Sequence, residues 1–141
     1  MSEAAHRHPV RVYYEDTDAA GIVYYANYLK FAERARTEWL RDLGYDHRTL
    51  AGVHGVRFAV RACRIDYLRP ARLDDLLEVE TRVLALSGAR LVLDQRVLRA
   101  GEPLCTMEIV LVALDDALRP VRIERALPPA FVAALRTPGR G

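Results

Sequence analysis

From about residue 26 to residue 43, apolar side chains recur at Tyr28, Leu29, Ala32, Ala35, Trp39, Leu40 and Leu43. This spacing predicts one long helix with a single buried face. Gly44 is placed to end it and Asn27 to cap its start. Elsewhere the pattern has period two. Val10 to Glu15 is short, rich in Val and Tyr, and bounded by Pro9 and the EDTD cluster, so it reads as a strand. Phe58, Val60 and Ala62 share one face, whereas Ile65 and Tyr67 fall in the opposite frame. That slip of one residue predicts a bulge near Cys63 or Arg64, in a strand that Arg69-Pro70 ends. Leu76 to Leu86, Arg90 to Arg99 and Leu104 to Leu114 alternate in the same way. Ser87-Gly88 and Ala100-Gly101 join them, as short glycine-containing links join antiparallel neighbours. Tyr45 to Gly55 reads as a polar connection, and Pro128 to Leu135 as a short helix.

One long helix and about five long antiparallel strands describe an α+β domain in which the sheet wraps around the helix. The 141 residues fit a single domain, 1–141, with 1–8 and 136–141 as flexible tails. A sheet of this kind leaves edges and one face open, which predicts a homo-oligomer, at least a dimer.

Composition narrows the possible partners. The net charge is +2, and the 21 basic residues are scattered along the chain instead of forming a block, so nucleic-acid binding is not expected. Lys30 is the only lysine among them, which leaves nearly all positive charge on arginine, a good phosphate partner. Cys63 and Cys105 lie far apart in strand-like runs without a further ligand at metal spacing, so they read as reduced core residues, and no metal site is expected. The first residues lack a signal-peptide core, and no run of about 18 apolar residues could span a bilayer. A cytoplasmic protein without membrane insertion is the expectation.

The candidate chemistry lies between Arg11 and Tyr28. Asp18 sits three residues before Gly21, in the turn between an extended segment and the helix. Glu15 and Asp16 can face solvent; Asp18 lies nearest the turn that Gly21 allows to approach closely. The helix macrodipole would keep a carboxylate there ionised. Ile22 and Val23 could exclude water, and the free N–H groups near Val23, Tyr24 or Tyr25 could polarise an ester or thioester carbonyl. A carboxylate beside such donors is what hydrolysis of an activated carbonyl requires. An ordinary cap or turn is the plainer role for an aspartate here. Tyr14, Tyr24, Tyr25 and Tyr28 are also common core or interface aromatics.

The string YYEDTDAAGIVYYANYLKFAERARTEWL and the later DYLRPARLDDLLEV resemble the hot-dog-fold acyl-CoA thioesterases of the 4-hydroxybenzoyl-CoA thioesterase family, and most of all their YbgC-type branch, associated with the Tol-Pal cell-envelope system. The likeness runs roughly from Pro9 to Leu114, with TD-x-x-G-I-V-Y as its specific core. It implies that Asp18 is the catalytic nucleophile or the general base for water, that the Tyr25 backbone N–H polarises the carbonyl, and that Tyr14 lies near the aspartate. Gly21, Val23 and Tyr24 complete the substrate contacts. YbgC-type chains commonly carry histidine where this chain has Tyr25, so a proton-transfer role for that side chain does not carry over. A phenol with a pKa near 10 is a poor base at neutral pH. Coenzyme A would enter as part of the substrate, with no other cofactor, and Arg69 and Arg90 are candidate partners for its phosphates. Acyl carrier protein is the alternative carrier, and the resemblance includes homotetramers.

Glu33 and Glu38 raise a competing possibility, because another hot-dog branch places its catalytic carboxylate on the helix. With Asp18 present they read as helix-face charges. A weakly catalytic or noncatalytic hot-dog protein that docks acyl carrier protein or phospholipid-synthesis enzymes is the alternative function. A hydratase or dehydratase ranks last, since His6, His8, His47 and His54 all lie outside the Asp18 segment.

Overall fold

A computed structural model describes residues 5–136 of the chain. Its elements, in order, are β1 (His6–Arg11), a single 3-10 turn (Tyr14–Asp16), α1 (Asn27–Asp42), α2 (His47–Val53), β2 (Arg57–Tyr67), β3 (Leu76–Ser87), β4 (Arg90–Arg99), β5 (Glu102–Leu114), α3 (Ile123–Ala126) and α4 (Pro129–Arg136). The five strands form one antiparallel sheet in the order β1-β3-β4-β5-β2, so β1 and β2 are its edges.

The sheet curves around α1 because alternate residues of its strands bury one face. Leu77 and Val79, then Leu91, Leu93 and Val97, then Met107 and Ile109 meet Tyr28, Phe31, Ala32, Ala35, Trp39 and Leu40 of the helix. Ala32 and Ala35 have no exposed surface, and such small side chains let the helix axis lie close over the strands. Gly44 takes φ +95° and closes the helix, with the Gly44 N–H donating to the Arg41 carbonyl and the Tyr45 N–H to the Leu40 carbonyl. The Ala100-Gly101 link has positive φ at both residues, the conformation that matches a two-residue hairpin to the twist of its strands.

Several expectations are corrected. The first strand is His6–Arg11, four residues earlier than read, and it takes up part of the segment 1–8 that was expected as a tail. Val12 still exchanges backbone hydrogen bonds with Asp74 and Asp75 ahead of β3, and residues 13–15 then turn away instead of continuing the strand. Pro9 is tolerated in β1 because this is an edge strand. Residues 1–4 and 137–141, the remainder of the two expected tails, lie outside the described residues.

Asn27 is the first helical residue, not the cap. Ala26 holds the cap position without a side-chain bond, and Asn27 Nδ2 donates instead to the Asp16 carbonyl. Leu29 faces away from the core, and Phe31 takes its place in the buried stripe. The connection 45–55 contains α2, capped by Asp46, whose carboxylate accepts the Thr49 N–H. The slip in β2 falls between Val60 and Ala62, earlier than expected. Among the described residues no helix is long and apolar enough to cross a membrane.

Candidate active site

The residues 17–26 connect the 3-10 turn to α1 as a tight loop. Thr17 and Val23 pair across it as an isolated bridge, the Asp18 N–H donates to the Ile22 carbonyl, and the Gly21 N–H donates to the Asp18 carbonyl. Gly21 adopts φ +79°, a left-handed conformation that costs a side-chain-bearing residue about 1–2 kcal/mol. The glycine is therefore required by the backbone of the turn, not by crowding, since a Cβ there would meet nothing within 4 Å. Asp18 is exposed and its Oδ1 accepts the Ala20 N–H at 2.8 Å. It is thus a turn former as well as a candidate carboxylate.

Asp16, expected to face solvent, is buried. Its carboxylate accepts the Tyr13 N–H at 2.8 Å, and its carbonyl accepts both the Tyr24 N–H and Asn27 Nδ2. It is the structural acid of the EDTD cluster, clamping the loop to the start of α1. Asp18, by contrast, is the exposed aspartate of the cluster.

Val23 is buried and donates its N–H to the Ala71 carbonyl at 2.8 Å. Ile22 bridges to Arg72, so the segment 68–75 after β2 supports the loop along its length. The Ala71 N–H in turn donates to the Tyr28 hydroxyl at 3.0 Å, a buried bond that pins this segment to α1. Burial pushes the Tyr28 phenol above its usual pKa, which keeps it protonated. Asp75 secures the far end of the segment by accepting the Arg72 N–H and the Arg99 guanidinium, each at 2.8 Å.

Between the two segments lies a cavity of about 330 Å³ lined by Ile22, Val23, Tyr25, Tyr28, Tyr67, Leu68, Arg69 and Pro70. Tyr25 is 60 % exposed, and its ring stacks obliquely on Tyr24 at 4.9 Å and meets Tyr67 edge-on at 6.0 Å. Tyr24 has a raised pKa, chiefly through its hydrogen bond to Tyr25. Among the described residues the Tyr25 N–H meets no acceptor, so the start of α1 keeps an open donor.

Of the residues singled out in the sequence, Val23, Tyr25 and Arg69 share this cavity, with Tyr24 against Tyr25 and Gly21 and Asp18 on the adjoining turn. Tyr14 lies in the 3-10 turn, 82 % exposed. Its carbonyl accepts the Thr17 N–H and hydroxyl, which braces the approach to Asp18. Arg69 is within 3.2 Å of Glu102. Arg90 opens β4 at its far end, seven residues from Val97, or about 23 Å along the strand, so within one protomer it is remote from the cavity. Glu33 lines a separate cavity between α1 and β2, and Glu38 pairs with Arg41 on the helix surface. Among the described residues no group of three or more His, Cys, Asp or Glu could hold a metal ion. Local sequence gives no signal for Tyr67 and Asp75, because their roles here depend on contacts distant in the chain.

The Thioesterase-like superfamily matches residues 12–135. The chain belongs to this family. It is 44 % identical over 136 residues to the acyl-CoA thioester hydrolase YbgC of Escherichia coli O6:H1, which covers 96 % of this chain and 99 % of that one. A probable thioesterase from Bartonella henselae superimposes with a TM-score of 0.82 at 41 % identity, over 89 % of this chain and all of that one. A thioesterase from Thermus thermophilus, solved with coenzyme A and zinc, gives a TM-score of 0.78 at 30 % identity over 96 % of this chain and all of that one. The expected α+β hot-dog fold is thereby established, and the chain is a hot-dog thioesterase of the YbgC type, a thioester hydrolase.

Proposed function

We propose that this enzyme hydrolyses acyl-CoA thioesters to a free acid and coenzyme A, with Asp18 as the essential carboxylate and the Tyr25 N–H as the donor to the carbonyl oxygen. The observation that carries the reading is the loop itself: the bridge between Thr17 and Val23 closes the exposed Asp18 turn two residues before Tyr25, whose N–H is open beside an apolar cavity. The YbgC relative is named for this reaction, and the Thermus relative carries coenzyme A.

In this mechanism the thioester carbonyl accepts the Tyr25 N–H. Either water, losing its proton to Asp18, or the Asp18 carboxylate itself attacks the carbonyl carbon. The oxyanion is stabilised at the helix start, the C–S bond breaks, and the thiolate leaves and takes a proton. In the second route water then hydrolyses the anhydride. One well-aimed donor of this kind contributes about 3–4 kcal/mol. The reaction calls for no resident cofactor. The Tyr25 side chain serves substrate packing, Tyr14 supports the Asp18 approach, and Arg69 meets a phosphate of coenzyme A by leaving Glu102. Arg90 can serve such a phosphate only from a second subunit.

The working form is a homo-oligomer, dimer or tetramer. The open edge of β2 and the exposed Tyr13, Tyr14, Tyr25 and Leu29 around the site favour a second copy covering it. A cytoplasmic location fits an acyl-CoA substrate and the free Cys63 and Cys105 thiols.

The test follows thiol release from a panel of acyl-CoAs, and from the same acyl groups on acyl carrier protein, with wild type and Asp18→Asn. The variant should fold normally and lose at least a hundredfold in kcat. Wild-type rates in the variant would refute the assignment, and preference for the protein-bound substrates would move the carrier from coenzyme A to acyl carrier protein.

A further inference from the structure

We infer that Tyr67, at the end of β2, is a positioning residue for the carbonyl-polarising turn: its hydroxyl holds the Tyr25 carbonyl so that the N–H groups at the start of α1 stay aimed into the cavity. The inference rests on the reading that the Tyr25 N–H meets the substrate carbonyl.

The Tyr25 carbonyl lies just outside α1 and lacks a helical partner. The Leu29 N–H, four residues on, donates to the Ala26 carbonyl at 3.2 Å instead. The Tyr67 hydroxyl takes that place, donating to the Tyr25 carbonyl oxygen at 3.1 Å from 42 residues away in the chain. In a trans peptide the carbonyl and the following N–H point in opposite directions. Ala26 has helical dihedrals, φ −70° and ψ −20°, so the pinned carbonyl points along the helix while the Ala26 N–H, on the same peptide, points back out of its N-terminus beside Tyr25. A free Tyr25 peptide could rotate and turn its carbonyl oxygen toward the developing oxyanion. A hydrogen bond on that oxygen also polarises the Tyr25–Ala26 peptide and strengthens the Ala26 N–H, the neighbour of the Tyr25 N–H, as a donor.

The ring is held firmly enough to do this. It meets Tyr25 edge-on at 6.0 Å and Tyr28 obliquely at 5.6 Å, and Tyr28 is itself fixed by the Ala71 N–H. Desolvation, with smaller contributions from Cys105 and Cys63, raises the Tyr67 pKa, so the phenol remains a donor throughout the neutral range.

Tyr67→Phe keeps the ring contacts and removes only the donor. It should lower kcat on the order of tenfold, less than the loss of a donor outright, while KM stays within about twofold and the midpoint of thermal unfolding is unchanged. Tyr67→Leu, which also removes the ring, should raise KM in addition. A ¹³C label on the Tyr25 carbonyl should move upfield in Tyr67→Phe, as an oxygen does on losing a hydrogen bond. Unchanged kcat in Tyr67→Phe, or an unmoved carbonyl resonance, overturns the inference. Failure of the underlying reading has a different signature: wild-type rates in Asp18→Asn, regardless of the Tyr67 variants.

Discussion

Gln95 offers the sharpest test of how the helix is locked to the sheet. It lies in the middle of β4 with no exposed surface, directly under α1. Its Oε1 accepts Arg36 Nη1 at 3.0 Å, and its Nε2 donates to the Ala32 carbonyl at 3.1 Å and to Thr81 Oγ1 at 3.0 Å. One side chain thereby satisfies a cation and a carbonyl on the helix and a hydroxyl on β3. Burial lowers the Arg36 pKa, opposed in part by Glu33 and Cys63, which marks a guanidinium already short of water.

Gln95→Leu, of similar volume, removes all three bonds. A hydrogen bond to a charged group contributes about 1.5–3 kcal/mol and each neutral one about 1 kcal/mol. The added apolar burial offsets about 1 kcal/mol of that loss, leaving a net destabilisation of about 3 kcal/mol. Against a typical total of about 5–15 kcal/mol this is large. Urea unfolding followed by the fluorescence of Trp39, the single tryptophan, reads it as a midpoint shift of about 1–2 M for a slope near 2 kcal/mol/M. All variants need one protomer concentration, because association adds to apparent stability. Pairing Gln95→Leu with Arg36→Met removes both the stranded cation and its lost acceptor, and should recover more than half of the loss, since replacing both partners by apolar groups is far cheaper than stranding one. A single variant within 1 kcal/mol of wild type, or a double variant no more stable than the single, would refute the account.

Two further outcomes follow from the support of the site. Tyr28→Phe leaves the fully buried Ala71 N–H without an acceptor and should cost about 1–3 kcal/mol in the same urea titration; a cost below about 0.5 kcal/mol would mean that the bond is replaced by water. For Asp75, partial burial raises the pKa but is outweighed by the Arg72 N–H and the Arg99 guanidinium, so the folded value lies below the unfolded one. Its stabilisation is therefore complete above the unfolded pKa of about 4 and is lost as pH falls through the folded value. Unfolding free energies measured from pH 7 down to pH 2 should decline below about pH 4, and less steeply in Asp75→Asn; equal slopes would remove Asp75 from the account.

The parts of the fold that were legible are those whose cause is local. β3, β4 and β5 follow from alternation, and the Ala100-Gly101 turn from residues that accept positive φ. α1 follows from its stripe, although Leu29 and Phe31 exchanged places because sequence spacing does not say which side of a wide stripe the sheet will cover. The seven-residue α2 buries only Leu50, so it leaves no stripe to detect; the Asp46 cap with Thr49 three residues on was its one local signal. β1 escaped at its start because His6, Arg7, His8 and Pro9 carry no strand-like alternation. His6 is nevertheless buried, with Nε2 2.7 Å from Asp42 at the end of α1.

The site divides along the same line. Asp16 and Asp18 are chemically alike and two residues apart, and nothing local distinguishes the buried clamp from the exposed carboxylate. What separates them is that the chain folds back to place the Tyr24 N–H and Asn27 Nδ2 on the Asp16 carbonyl while the Tyr13 N–H takes its side chain. The tyrosines separate for the same reason. Tyr28 is a core residue because Ala71 reaches it, and Tyr25 belongs to a cavity because Tyr67 closes one wall of it. Both partners come from the end of β2 and the segment after it, more than 40 residues from the helix start. The Asp18 turn can carry the chemistry by its local sequence, but its aim depends on that distant strand. Substitutions in residues 67–75 that release these contacts should therefore lower turnover, though by less than the loss of Asp18 itself.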